Sequence, residues 1–117
     1  MRRVEWMLAT AGAFLGALHV ALTVVFYRHV SLEALWFAGA GLGVVSVATM
    51  NIVALRAGDQ SSPLILLAAN TAMASFFTAA WLLMKAPQAA LGVVLFAGLA
   101  LCTLLRALRA RKPALVS

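Results

Sequence analysis

The chain has 117 residues, of which 65% are hydrophobic and only 10% charged, and its formal net charge is +6. Soluble domains carry roughly a quarter charged residues, so this chain lacks the polar groups to cover a water-facing surface. With a mean hydropathy of +1.04 it reads as a single-domain integral membrane protein. The basic residues lie at the ends of apolar runs, where they act as topology signals and headgroup contacts, not as a nucleic-acid patch.

The first apolar run, Val4–Tyr27, lies between Arg2-Arg3 and Arg28-His29. It is too long for the core of a cleaved signal peptide, so a retained span is expected. On a helical wheel Gly12, Gly16, His19, Thr23 and Tyr27 share one stripe. The stripe contains a GxxxG step (GAFLG), which lets helix backbones approach closely in lipid. His19 is costly inside a span, and ionisable groups at such depth mark function by default. Two roles are open: a ligand or proton-relay contact, or a hydrogen-bonded tie to Thr78, Asn70 or a backbone carbonyl.

The second run, Leu32–Leu55, is closed by Arg56. Ser31 is placed to cap it, and Glu33 lies in its first turn, where the helix dipole favours an anion. Glu33 has two further readings, as a rim partner of Arg28 or Lys85 and as an acid partner of His19. Gly39 and Gly43 form a second small-residue pair, expected at a helix seam, with Ser46 continuing that side. Trp36, Ala40, Val44, Val47 and Asn51 lie about a quarter turn away.

The third run starts at Pro63, with Ser62 placed as N-cap, and ends at Met84 before Lys85. Asn70, Ala74, Thr78, Trp81 and Lys85 fall on one side of it. Asn51 and Asn70 are expected as interhelical glue, because lipid offers their amides no partner. The fourth run, Ala89–Leu105, carries Gly92, Phe96, Leu99, Thr103 and Arg106 on one side. It passes into a basic tail, 106–117, whose Arg106, Arg109, Arg111 and Lys112 are expected to meet anionic lipid headgroups. The single Cys102 excludes an internal disulfide.

Each run is near the ~20 residues that a helix needs to cross the hydrocarbon. Unbroken apolar length indicates helices, since spanning strands would alternate. Short links make neighbours antiparallel, so the expected fold is an all-α, up-down-up-down four-helix transmembrane bundle. With the termini on one side, that side holds Arg2, Arg3, Arg56, Arg106, Arg109, Arg111 and Lys112, against Arg28 and Lys85 on the other. Positive-inside counting therefore places both termini in the cytoplasm. The short links and economical build suggest a bacterial inner membrane.

At ~1.5 Å per residue, His19 and Thr78 fall slightly outside the midplane, with Thr23, Trp36 and Trp81 further out and Glu33 at the outer rim. These six residues define an expected outward-facing polar pocket with His19 near its floor. Trp6, Trp36, Trp81 and Tyr27 also fit an interfacial belt.

No phosphate-binding loop, nucleophile elbow or HExxH motif occurs, and nothing assigns a metal, cofactor or catalytic residue. A bis-His haem needs two buried histidines, and His29 lies in a link. Four spans at this length resemble the small drug exporters in outline. Those exporters carry a glutamate midway through the first helix, where this chain has Gly and Ala, so the likeness extends to architecture alone. Two functions are expected: a small-molecule or lipid-handling protein built on the outward pocket, or a scaffold that assembles with copies of itself or other membrane proteins through its Gly faces.

Overall fold

The computed structural model describes residues 1–58 and 63–111. They form four helices: α1 (Arg2–Phe26), α2 (Leu32–Ala57), α3 (Pro63–Met84) and α4 (Pro87–Ala110). Each is long and apolar enough to cross a membrane. Their outward faces carry exposed Phe14, Val24, Leu35 and Leu83, a surface that suits lipid far better than water.

The local chemistry explains the helix ends. Ser31 Oγ accepts a hydrogen bond from the Ala34 amide at 3.1 Å, which caps α2. Gly58 closes the same helix in the left-handed conformation, its amide bonding to Ala54 O. Pro87 opens α4 in the first turn, where a missing N–H costs nothing, so α4 begins two residues before the expected Ala89. Lys85 ends α3 at φ 53°, unusual for a residue with a side chain. Its ammonium lies 4.5 Å from the Trp81 ring centroid, a cation–π contact that helps hold this turn. The basic tail begins as helix, with α4 continuing through Arg106 and Arg109. The expected Ser62 cap and Lys112 lie outside the described residues.

The chain packs as two hairpins, α1 with α2 and α3 with α4. α4 also packs on α1, while α2 and α3 touch least. Residue pairing shows every neighbouring pair to be antiparallel. Gly16 meets Gly41 and Gly12 meets Ala48; Phe77 stacks on Phe96 while Asn70 reaches Thr103. The core comprises Ala9, Val44, Phe77, Leu95, Phe96 and Leu99 at its centre.

The buried faces repeat at alternating steps of three and four. They run Glu5, Ala9, Gly12, Gly16 on α1 and Ala34, Gly41, Val44, Ala48, Asn51, Leu55 on α2. On α4 the run is Ala89, Gly92, Phe96, Leu99, Thr103. A repeat near 3.5 residues is that of left-handed, coiled-coil-like packing. Phe77 shows how the small residues serve it: its ring lies against Gly92, where a Cβ would have no room.

Gly16 and Gly41 let the two backbones of the first hairpin approach closely. A Cβ on Gly16 would lie 2.9 Å from Gly41 O, and one on Gly41 would lie 3.0 Å from Gly16 O. Gly39 and Gly43, expected at this seam, have no atom within 4 Å of an added Cβ. They lie about a third to half a turn from the packed face, so Gly41 takes the seam instead. Overpacking a tight contact costs about 1–3 kcal/mol. Gly41→Val is therefore expected to lower the detergent-solubilised melting temperature clearly, while Gly43→Val leaves it unchanged.

Candidate functional site

Between its hairpins the bundle has an apolar cavity, with a polar tie beneath it. The site is a cavity of about 180 Å³ with contributions from all four helices, including Leu15, His19, Phe37, Phe77, Ala80 and Gln88. Among the described residues, His19 and Gln88 are its polar lining residues. Met84 and Gln88, both exposed, form part of the lining, so the cavity reaches the surface at the end away from the termini. Apolar cavities of about 150 Å³ stay dry and accept a benzene-sized group.

His19 is half-buried and stacks face to face on Phe37, with ring centroids 3.7 Å apart and planes 17° from parallel. Phe26 and Tyr27 approach the same Phe37 ring at 6.0 and 5.6 Å. The aromatic group thus closes one wall of the cavity and fixes the imidazole plane. The hydrogen bond from His19 to Thr78 or Asn70 is not formed, because neither residue faces it.

The other five residues expected in the pocket do not line this cavity. Thr23 lies on the His19 stripe, but its hydroxyl donates back to His19 O at 3.2 Å and it lines a separate surface hollow. Thr78 is exposed, donates to Ala74 O at 2.8 Å, and faces an outer groove between α3 and α4. Trp36 is 72% exposed and Trp81 40%; both belong to the outer surface. Glu33 is exposed in the first turn of α2 and, among the described residues, forms no ion pair with Arg28 or Lys85. Of the six residues expected together, His19 alone lines this cavity.

The reason is angular. The expected stripes on α2 and α3 include consecutive steps of four, and each such step overshoots a full turn by about 40°. From Asn70 that leads to Thr78, whereas the buried face of α3 turns through Phe77 and Ala80. On α2 it leads to Trp36 in place of Phe37. Counting back from Asn51 by three and four in alternation gives Ala48, Val44, Gly41, Phe37 and Ala34. That spacing was the available signal for Phe37.

Below the cavity, towards the termini, lies the polar tie. Asn51 Nδ2 donates to Asn70 Oδ1 at 2.8 Å and Asn70 Nδ2 donates to Asn51 Oδ1 at 2.9 Å. Asn70 Nδ2 also reaches Thr103 Oγ1 at 3.4 Å, and Thr103 in turn donates to Leu99 O at 2.8 Å. Asn51 gives a further bond to Val47 O at 2.8 Å. All three side chains are buried, Asn70 completely. The cluster links α2, α3 and α4.

Nearer the termini, Glu5 is buried and pairs with Arg106 of α4 at 3.5 Å. Arg2 Nη2 donates to Leu55 O at the end of α2 at 2.8 Å. Glu5 was assigned no role from sequence, although it continues the Gly16, Gly12, Ala9 stripe by one more step of four. Arg109 and Arg111 are exposed.

No known protein family, curated protein or solved structure matches the chain.

Membrane interhelical polar contacts contribute on average about 0.6 kcal/mol and at most about 1.7 kcal/mol. The reciprocal pair belongs near the upper figure, since removing one amide leaves the other buried and unpaired. A double-mutant cycle on Asn51→Leu and Asn70→Leu, read by chemical unfolding in micelles, is expected to give a coupling of about 1–1.5 kcal/mol. Additive losses would show the two amides to be energetically independent.

Proposed function

We propose that this chain is a multi-pass inner-membrane protein with both termini in the cytoplasm, which binds an apolar or amphiphilic small molecule in the cavity beside His19. The distribution of basic residues supports the orientation: seven of the nine lie at the end bearing the termini. The cavity itself carries the functional reading. Its aromatic and aliphatic walls suit a ring or the end of a hydrocarbon chain, while His19 and Gln88 offer polar contacts to a headgroup or ring substituent. Ligand sites in general combine apolar walls with a few placed polar groups. Binding, not chemistry, is the role this lining supports.

A specific observation favours a second reading, assembly through a small-residue face. Gly39 and Gly43 project away from the packed core, and Ser46 continues their side into a groove between α2 and α3 lined also by Thr49, Met50 and Val53. Small residues of this kind let a further helix approach closely in lipid. The candidate occupant is a span of a second copy or of another membrane protein.

Two experiments separate these readings. The first is mass spectrometry of molecules that co-purify with the detergent-extracted protein. Ala80→Leu, which fills the cavity, is expected to reduce the retained amphiphile at least about tenfold without lowering the melting temperature. His19→Phe keeps the aromatic stack and is expected to weaken retention of molecules with a polar end by about tenfold. An unchanged complement of bound molecules in Ala80→Leu would refute the cavity reading. In the second, Gly43→Leu is expected to abolish any oligomer or co-purifying membrane partner while preserving the fold. Intact assembly in that variant would exclude the Gly face as the contact.

A further inference from the structure

We propose that the end of the bundle bearing the termini contains a binding site for a single phosphate group. The site is a pocket of about 330 Å³ between the ends of α1, α2 and α4, and Arg2, Arg106 and Arg109 all line it. That volume is at the small end of the ~300–1,000 Å³ typical of ligand sites, which suits a compact headgroup. This site is remote from the His19 cavity and does not depend on that reading.

Two anchored guanidinium groups distinguish the pocket from a merely basic surface. Arg106 is held by buried Glu5 at 3.5 Å, its side chain only 17% exposed. Arg2 is held by its hydrogen bond to Leu55 O, which closes the pocket on the α2 side. Each contact occupies only part of a guanidinium that has five N–H donors. Arg109 lies one turn beyond Arg106 on α4 and adds a third guanidinium group at the exposed edge. Planar guanidinium forks match the oxygens of phosphate, and charge-assisted bonds of this kind are the strongest neutral-pH contacts available to such a group.

The charge balance points to an anion. The chain has three acidic side chains, Glu5, Glu33 and Asp59, and Glu33 is at the opposite end. Among the described residues this end holds six basic side chains, Arg2, Arg3, Arg56, Arg106, Arg109 and Arg111, and one ion pair, Glu5 with Arg106. Basic pockets between membrane helices on the cytoplasmic side hold phospholipid headgroups. The same oxygens could come from a soluble phosphate ester, and the recognition chemistry is shared.

Native mass spectrometry of the full chain in a neutral detergent tests the site, titrating phosphatidylglycerol and, separately, diacylglycerol, which keeps the tails and lacks the phosphate. One phosphatidylglycerol is expected to bind preferentially. Arg2→Gln and Arg109→Gln are each expected to weaken it about tenfold. Arg3→Gln and Arg111→Gln, which remove the same charge outside the pocket lining, are expected to change it less than about twofold. Arg109 is exposed, so its replacement leaves the fold intact and keeps the test valid if Arg2→Gln loosens the helices. Competition by glycerol phosphate assigns the source: displacement shows that the phosphate group suffices, and no displacement shows that the lipid tail contributes, the site standing in both cases. Equal losses in all four variants, or equal binding of the phosphate-free diacylglycerol, would overturn the proposal.

Discussion

The reciprocal amide pair between Asn51 and Asn70 joins the two halves of this protein. Among apolar surroundings neither helical hairpin gains much by leaving hydrocarbon for the other, since lipid tails are as apolar as leucine. Cohesion must then come from close packing and from polar groups that lipid leaves unsatisfied. Two facing primary amides meet that need, each donating to the other, and Thr103 extends the contact to α4. The tie lies towards the termini. At the other end α2 and α3 are separated by Phe37, Phe76 and Phe77, and the cavity occupies that space. The polar tie and the apolar cavity are thus complementary results of one arrangement.

The same physics grades the molecule along its length. At the end bearing the termini, Glu5 is withdrawn from the surface and neutralised by Arg106, and the surrounding charge is strongly positive. In the middle, neutral amides and a hydroxyl carry the polar contacts. Towards the other end the ionisable group that faces the cavity, among the described residues, is an imidazole, which can remain neutral, stacked on an aromatic ring. A charged group deep in a span is costly, so this order, with charges near the end, amides in the middle and aromatic rings around the cavity, follows from where each can be satisfied.

The glycines illustrate how finely packing depends on angle. Gly12 and Gly16 were legible as a seam because they share a stripe with His19, and both meet atoms of α2. Gly39 and Gly43 have the same four-residue spacing yet meet nothing, while Gly41, two residues from each, touches the backbone of α1. Spacing alone shows that two small residues share a face. It does not show which face the neighbouring helix occupies. Trp36, Thr78 and Trp81 lie off the cavity lining for the same reason, since a shift of one residue turns a side chain by about 100° around the helix.

Composition and hydropathy by themselves determined the four long apolar helices, the cap at Ser31, the short links and the concentration of positive charge at one end. These are local properties: apolar length, proline geometry and charge position act without reference to the rest of the chain. Only the tertiary structure decided that Phe37 and not Trp36 stacks on His19, that Gly41 makes the close approach, and that Glu5 is buried against Arg106. In a water-soluble bundle the contrast between polar and apolar faces would have fixed those rotations in advance. Here both faces of every helix are largely apolar, so the rotation is set by which small and polar side chains fit together across three helices at once.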